Sequence, residues 1–355
     1  MITDSTLPIH LKSPYLIYFG DVANKGFAKT GLGLVEWCRP LCAGQLRHPD
    51  CIVDGGIPDL TLEEAASNGV KSIIIGVAPA GGCIPDSWVA DLADAVRHGF
   101  DLVSGMHVRL RDFPEFVAAA EESGARLIDV RVPPSELKVG TGEKRPGNRL
   151  LTVGTDCAVG KKYTALAIEK AMHARGWSAD FRATGQTGIM IAGSGVPIDC
   201  VVSDFISGAA EMVSPPADAD HWDIIEGQGA LTHPSFAGVS LGLLHGSQPD
   251  ALVLCHDASR THILGLGTNQ PYPLSSLSET IRVNLEMACR VNPNARFVGV
   301  SVNTSALDAD ARAEVLAQYA AETGLPVVDP IIDGAAKILD RITEEFGITQ
   351  RRAAT

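Results

Sequence analysis

The segment GTDCAVGK at residues 154–161 constrains the fold of this chain more than any other feature. A short apolar run at 150–153 precedes it, and an amphipathic pattern over 161–175 follows it. Glycines at both ends let backbone N–H groups turn inward around phosphate oxygens, a lysine adds charge, and a helix N-terminus adds its dipole. The sequence therefore predicts a strand, a phosphate-binding loop and a helix.

One position departs from the usual phosphate loop. The usual motif continues with Ser or Thr, whose hydroxyl coordinates Mg²⁺ beside a nucleoside triphosphate, but this chain has Lys162 there. A second ammonium repels Mg²⁺ and attracts phosphate, which favours holding a phosphorylated ligand over cleaving a metal-bound triphosphate. The alternatives are that Lys162 is only a solvated lysine and that Thr164 partly replaces the missing hydroxyl. No metal site is predicted, and the predicted ligand-binding residues are Gly154, Thr155, Asp156, Val159, Gly160, Lys161, Lys162, Tyr163 and Thr164.

Short apolar runs alternate with helical patterns along the chain, which implies parallel strands joined by crossover helices. In the first part we predict strands at 15–19, 72–77 and 127–132, and helices at 60–67, 86–98 and 113–123. Glycine-rich strand-end loops are predicted at 26–33 and 76–82. Neither matches the dinucleotide fingerprint G-x-G-x-x-G, so NAD is not inferred.

A polar stretch with Pro and Gly at 133–149 has no apolar periodicity and is predicted to be a linker. The length of 355 residues favours about two domains, and we place them at 1–140 and 141–355. In the second we predict strands at 150–153, 180–183, 224–225, 252–255, 297–302 and 326–328. Its predicted helices span 161–175, 205–213, 309–323 and 335–346. The predicted fold is α/β with two parallel sheets.

Three strand-end loops carry candidate functional side chains. In IIEGQGAL, Glu226 is a candidate metal ligand or general base, with a capping or turn role as the alternative. In ATGQTG, a Gly/Thr/Gln loop offers hydroxyl and amide donors that suit a carbonyl or carboxylate, or it is only a polar turn. In CHDASRTH, Arg260 has the fork that matches a carboxylate and His256 is a candidate proton acceptor. A zinc site from His256 and His262 is disfavoured by their spacing.

Bulk properties exclude several classes of partner. The formal net charge is −13, which disfavours binding to nucleic acid or to an anionic membrane. We find neither a signal-peptide pattern nor an apolar stretch that would span a membrane, and the eight cysteines are dispersed without a Cys-x-x-Cys pair. We therefore expect a soluble cytoplasmic protein.

Two resemblances add to these predictions. GTDCAVGKKYTA and IIEGQGAL resemble loops of dethiobiotin synthetase, although Lys162 stands where those enzymes carry a threonine. Over nearly the whole chain, GVAPAGG, DLVSGMH, GTDCAVGKK, ATGQTG, IEGQGAL and LCHDASRTH resemble the D-glutamate N-acetyltransferase family. This resemblance implies a Rossmann-like N-terminal domain, a P-loop NTPase-like C-terminal domain, and transfer of an acetyl group from acetyl-CoA to the amine of D-glutamate in D-amino-acid catabolism. The dethiobiotin synthetase resemblance implies a homo-oligomer.

The acetyltransferase reading assigns roles to the candidate residues. Coenzyme A carries a diphosphate, but acyl transfer requires no Mg²⁺, which suits a loop with Lys162. Glu226 or His256 is then the base for the substrate ammonium, Arg260 the clamp for its carboxylates, Gln186 or Thr187 the stabiliser of the oxyanion, and Gln228 a further substrate-binding residue. The competing hypotheses are a Mg-ATP-dependent synthetase or ligase with Mg²⁺ held by Thr164 and Glu226, and a nucleotide-binding protein without turnover.

Overall fold

The computed structural model describes residues 9–77, 82–264, 266 and 272–347. They divide into two units. Unit 1 contains the described residues up to Glu136 together with Gly185–Cys200, and unit 2 contains Leu137–Thr184 and the described residues from Val201 onward. The predicted ranges 1–140 and 141–355 differ from this division because the chain returns to unit 1 after Thr184.

Unit 1 is built on a parallel five-stranded sheet in the order β2-β1-β3-β4-β5. All residues of β1, β3 and β4 are buried, as expected for strands that are covered on both faces. Its elements are β1 Tyr15–Gly20, α1 Lys29–Trp37, β2 Cys42–Arg47, α2 Leu62–Ser67, β3 Ser72–Ile75, α3 Asp86–Arg97, β4 Asp101–Ser104, α4 Pro114–Ser123 and β5 Leu127–Asp129.

Local sequence explains several helix ends in unit 1. Thr61 and Glu64 form a reciprocal capping box at the start of α2, and Gly124 ends α4 in the left-handed conformation at φ 75°. The glycine-rich segment 26–33, predicted to be a loop, is instead helical from Lys29 onward. Residues 78–81 of the GVAPAGG segment lie outside the described residues.

Unit 2 contains a parallel six-stranded sheet in the order β11-β10-β9-β6-β8-β7. The elements that follow β5 along the chain are β6 Asn148–Gly154, α5 Lys161–Ala174, β7 Ala179–Arg182, α6 Gln186–Ala192, α7 Ile206–Val213, β8 Trp222–Ile225, α8 Ala237–Ser247, β9 Ala251–Asp257, α9 Leu277–Ala288, β10 Arg296–Asn303, α10 Ala309–Thr323, β11 Val327–Val328 and α11 Ala336–Phe346. The predicted α/β class with two parallel sheets is confirmed.

Strand order in unit 2 places the site. The strand β6 lies between β9 and β8, so the carboxyl ends of these three strands are neighbours in the sheet. Ligands of open parallel sheets bind outside such strand ends, at the point where the strand order reverses. The loop after β6, Glu226 after β8 and His256 at the end of β9 therefore lie at one edge of the sheet.

Helix α6 belongs to unit 1, although the chain reaches it directly from β7 of unit 2. The Thr187 hydroxyl lies 3.1 Å from the Thr30 hydroxyl, and the Leu11 N–H donates to the Gly193 carbonyl at 3.1 Å. The segment ATGQTG, predicted to be a loop that offers hydroxyl and amide donors or, alternatively, only a polar turn, thus contains the start of a helix packed within unit 1.

The stretch predicted to be a linker is partly buried in unit 2. Arg149 is fully buried, and β6 begins at Asn148, inside the predicted linker. The guanidinium of Arg145 donates to the carbonyls of Ser214 and Gly246 at 2.8 and 2.9 Å. The interior contact here is polar, so apolar periodicity did not reveal it.

Candidate phosphate-binding site

The loop between β6 and α5 has the geometry of a phosphate cradle. Gly160 adopts φ 97° and Ala158 φ 54°, both in the left-handed region, which is uncommon for a residue with a side chain. Helix α5 begins at Lys161, so its first N–H groups and the positive end of its dipole face the loop. A Cβ at Gly154 would lie 2.9 Å from the Lys161 ammonium, so this close approach requires glycine.

The Lys161 side chain crosses the loop from the start of α5. Its ammonium donates to the Asp156 carbonyl at 2.7 Å, and the residue is only 7% exposed. Burial lowers the pKa of Lys161, an effect opposed by Cys255, Cys157, Asp156 and Glu226. The desolvated ammonium lacks a carboxylate in hydrogen-bond contact among the described residues and suits an anionic ligand.

Asp156 stabilises the conformation of the loop through hydrogen bonds to its side chain. Its fully buried carboxylate accepts hydrogen bonds from the Cys157 N–H at 2.6 Å, the Leu264 N–H at 2.8 Å and the Arg260 guanidinium at 3.0 Å. Arg260 also donates to the Cys157 carbonyl at 2.5 Å. The predicted substrate clamp Arg260 is therefore engaged with the loop itself, and this geometry favours a positioning role for it.

His233 lies beside the same carboxylate, and sequence reasoning did not identify it. Its Nε2 is 3.8 Å from Asp156 Oδ1, and its ring is buried. Together with the Cys157 thiol, these groups place ligand atoms within 4.8 Å of one another. Because the Arg260 guanidinium already neutralises Asp156, the donor set is poorly suited to a cation.

His256 uses both ring nitrogens within unit 2. Nδ1 lies 3.0 Å from the Thr155 hydroxyl and Nε2 lies 3.2 Å from the Tyr319 hydroxyl. The ring is 6% exposed, and Tyr319 packs edge-on against it with centroids 5.4 Å apart. An imidazole held in this way orients Thr155, and this arrangement gives little support to the predicted role of His256 as the base.

The buried imidazole predicts a pH dependence of stability. Burial lowers the pKa of His256, Arg260 lowers it further, and Asp257 and Glu322 oppose the change. His256 in the unfolded chain then binds a proton more readily than in the folded protein. The contribution of the neutral imidazole to stability is therefore complete above about pH 6.5, and it is lost as the pH falls toward the pKa of His256 in the folded protein. We expect the thermal unfolding midpoint of the wild type to fall more steeply between about pH 7.5 and pH 5 than that of His256→Gln. Parallel pH profiles would contradict this account.

Thr164 is turned into the core beneath the loop. Its hydroxyl lies 3.0 Å from the Gly160 carbonyl and 2.7 Å from the Ser301 hydroxyl, and the residue is 1% exposed. The Cys255 thiol also donates to it at 3.4 Å. These contacts direct the hydroxyl away from the role of a Mg²⁺ ligand that the ATP-dependent hypothesis assigns to it.

Glu226 lies at the end of β8, next to the phosphate loop. Its Oε2 accepts the Thr184 N–H at 3.0 Å, and its backbone carbonyl accepts the Thr184 hydroxyl at 2.6 Å. A side chain at Gly227 would collide with the Thr152 carbonyl and would lie 3.1 Å from Cδ of Lys161. The chain after Glu226 thus runs directly against Lys161, which keeps Glu226 a candidate base.

Gln228 and Lys162 are the remaining predicted residues of unit 2. The Gln228 amide donates to the Thr184 hydroxyl at 3.0 Å, so it fixes the strand-end loops together. The Lys162 ammonium lies 4.6 Å from the centroid of the Tyr163 ring, a cation–π arrangement. The structure therefore gathers all the predicted residues except Gln186 and Thr187 into unit 2.

Comparisons with known proteins give the family. A family model described as a domain of unknown function with a P-loop domain, DUF1611, matches residues 138–339, and its Rossmann-like N-terminal counterpart matches residues 47–133. The chain belongs to the DUF1611 family. A crystal structure of a DUF1611 family protein from Anabaena variabilis is 34% identical, has a TM-score of 0.82, and covers 94% of this chain and 100% of its own. The Rossmann-like and P-loop domains inferred from the sequence are confirmed.

Two curated relatives are similar to this chain over nearly their full length. One, from a Pseudoalteromonas species, is named D-glutamate N-acetyltransferase and is 47% identical over 331 residues, which is 93% of this chain and 99% of the relative. Another, from Tritonibacter scottomollicae, has the same name and is 46% identical over 332 residues, which is 94% of this chain and 99% of the relative. The resemblance recognised from the motifs is thereby confirmed.

The helices in the described part of the chain include none that is both long and apolar enough to cross a membrane.

Proposed function

We propose that this chain transfers an acetyl group from acetyl-CoA to the amine of D-glutamate. The observation that carries the proposal is the 47% identity to a D-glutamate N-acetyltransferase over 93% of the chain. An amine must lose a proton before it attacks a thioester, and the expelled thiolate must gain one. Glu226, buried beside Lys161, is the residue we assign to the proton transfer.

Coenzyme A is the co-substrate that suits the loop. Its diphosphate would meet the start of α5 and the Lys161 ammonium, which both present positive charge to the loop. The inward-turned Thr164 and the presence of Lys162 in place of a hydroxyl residue favour a ligand that is held without Mg²⁺. Acetyl transfer breaks a thioester and forms an amide, so it requires neither nucleotide hydrolysis nor a metal.

Thiol release tests this function. The pure protein is incubated with acetyl-CoA and a panel of D- and L-amino acids, with chelator present and without nucleotide. We expect release of free thiol that depends on D-glutamate. Turnover only with Mg-ATP would instead support a synthetase or ligase, and thermal stabilisation by coenzyme A or ATP without any product would support a binding protein.

Replacing Lys162 with Thr tests the unusual position of the loop. Removing one ammonium next to the diphosphate should weaken coenzyme A binding by roughly fivefold to tenfold, because a partly exposed charge contributes modestly. The measurement is titration calorimetry with coenzyme A. Lys170→Thr, an exposed site on the same helix, is the matched control and should bind like the wild type. Unchanged affinity of Lys162→Thr for coenzyme A would show that Lys162 does not contribute to binding.

We also propose that the protein acts on small molecules as a cytoplasmic homo-oligomer in D-amino-acid catabolism. All eight cysteines are free thiols, which is typical of a reducing compartment. Light scattering on the purified protein and fractionation of the source cells test the assembly and the location.

A further inference from the structure

A hydrogen-bond chain leads from α10 to the phosphate loop. The Tyr319 hydroxyl lies 3.2 Å from His256 Nε2, and His256 Nδ1 lies 3.0 Å from the Thr155 hydroxyl. Thr155 and His256 are 1% and 6% exposed, so bulk water competes little for these bonds. The three side chains belong to unit 2, and the hydrogen-bond chain that they form ends at Thr155, the second residue of the loop.

The hydrogen bonds from Tyr319 through His256 to Thr155 can run in two directions, which differ in whether the Thr155 hydroxyl can donate to a ligand. A neutral imidazole has one donor nitrogen and one acceptor nitrogen. If Tyr319 donates to Nε2, then Nδ1–H donates to Thr155 and the Thr155 proton remains available. In the opposite direction, the Thr155 hydroxyl donates its hydrogen bond to Nδ1 and presents only lone pairs to a ligand, and these repel phosphate oxygens.

The surroundings favour the first direction. A phenol is a stronger hydrogen-bond donor than an aliphatic hydroxyl, so Tyr319 is the better partner for the acceptor nitrogen. Within the described residues the Thr155 hydroxyl contacts no second acceptor, so its proton is left for a ligand. Burial, which lowers the pKa of His256, keeps the imidazole in the neutral form that the chain requires.

We propose that Tyr319 is a positioning residue that, through His256, makes the Thr155 hydroxyl a donor to an anionic oxygen in the loop, which for this protein is the diphosphate of coenzyme A. The identity of that ligand rests on the proposed function. The direction of the chain rests only on the three side chains. Tyr319 itself need not touch the ligand, and its effect on binding must pass through Thr155.

A double-mutant cycle tests this coupling, with coenzyme A affinity measured by calorimetry. Tyr319→Phe and Thr155→Val should each weaken binding by roughly tenfold, the value of one hydrogen bond to a charged group. The double variant should bind like Thr155→Val alone, because Tyr319 acts only through Thr155. Thr155→Ser keeps the hydroxyl and should restore most of the affinity. Tyr272→Phe removes an exposed phenol and serves as control. Additive losses in the double variant would overturn the proposal.

Nitrogen NMR of His256 provides a second readout, the tautomer of the imidazole. This tautomer would not change in Tyr319→Phe if Tyr319 had only a structural role. The wild type should show the tautomer protonated at Nδ1, and Tyr319→Phe should lose this preference. A wild type protonated at Nε2 would overturn the proposed direction even if binding were coupled. A wild type that shows the Nδ1 tautomer but does not bind coenzyme A would contradict the proposed function and leave the hydrogen-bond chain intact.

Discussion

Replacing Lys161 with methionine is expected to abolish measurable acetyl transfer and to weaken coenzyme A binding by on the order of 100-fold, because two or more charge-assisted bonds to phosphate are lost at once. Calorimetry and thiol release measure the two losses. Methionine keeps an unbranched side chain out to the ε position and so still fills the space beside Gly227, but it lacks the ammonium.

The same substitution should leave the fold intact. Burial already lowers the pKa of Lys161, which means that the folded protein bears a cost for holding this ammonium. Removing the charge relieves this cost, so the thermal midpoint of Lys161→Met should equal or exceed that of the wild type. Lys170→Met, at an exposed position of α5, should change neither property. Retained coenzyme A binding in Lys161→Met would refute the assignment of the loop.

Arg149→Met is expected to destabilise unit 2 by about 3–5 kcal/mol, the cost of removing a buried charged group from its partners. The Arg149 guanidinium is buried at the start of β6. It donates to the Ser214 hydroxyl at 2.7 Å and to four backbone carbonyls between 2.9 and 3.2 Å, those of Arg145, Gly147, Pro146 and Pro215. Methionine keeps the aliphatic part of the side chain but removes the guanidinium, so these carbonyls are left without a donor.

The loss for Arg149→Met should appear as a decrease of the thermal midpoint by about 10 °C for a unit of this size. Ser214 would also lose its anchor, and Ser214 in turn donates to Asp223 at 2.7 Å. Arg290→Met is the control, because its side chain is 68% exposed and, among the described residues, forms an ion pair with Glu286 alone, at 3.6 Å. Equal midpoints for the two variants would show that the buried guanidinium is not structurally important.

The phosphate loop could be predicted from sequence because every requirement for it is local. The apolar strand, the glycines and the start of α5 all lie between Asn148 and Lys161, and strand, turn and helix each have their own short-range signal. Contacts between residues that lie far apart in the sequence have no such short-range sequence signal. Arg260 was predicted to face the substrate, but its partner Asp156 lies 104 positions earlier, and only the fold brings the two within 3.0 Å.

Helix α1 escaped prediction for a different physical reason. Glycines disfavour helix, and the segment contains Gly31 and Gly33. The structure requires Gly31 because a Cβ there would lie 2.5 Å from the Phe19 ring, and its N–H donates to the Gly76 carbonyl at 2.7 Å. Close packing of the helix on the sheet outweighs the low propensity of glycine. Helix α8, in which Gly242 approaches Ile206, was missed for the same reason.

The strand β2 and the placement of α6 show the limits of apolar patterning. The strand CAGQLR carries little apolar alternation, because it forms the sheet edge and buries the polar Gln45 against Asp54 at 2.9 Å. The segment at Gln186 and Thr187 follows a strand of unit 2, so strand-end position assigned it to the phosphate site. Its packing in unit 1 depends on contacts that no local pattern contains.

Formation of N-acetyl-D-glutamate in the absence of metal and nucleotide is the most direct test of the account. The protein is incubated with acetyl-CoA labelled with ¹³C in the acetyl group, D-glutamate and excess chelator, and the product is identified by mass spectrometry after separation of enantiomers. We expect labelled N-acetyl-D-glutamate in a yield equal to the thiol released, and little product from L-glutamate. Absence of the labelled amide, or its formation only when Mg-ATP is added, would contradict it.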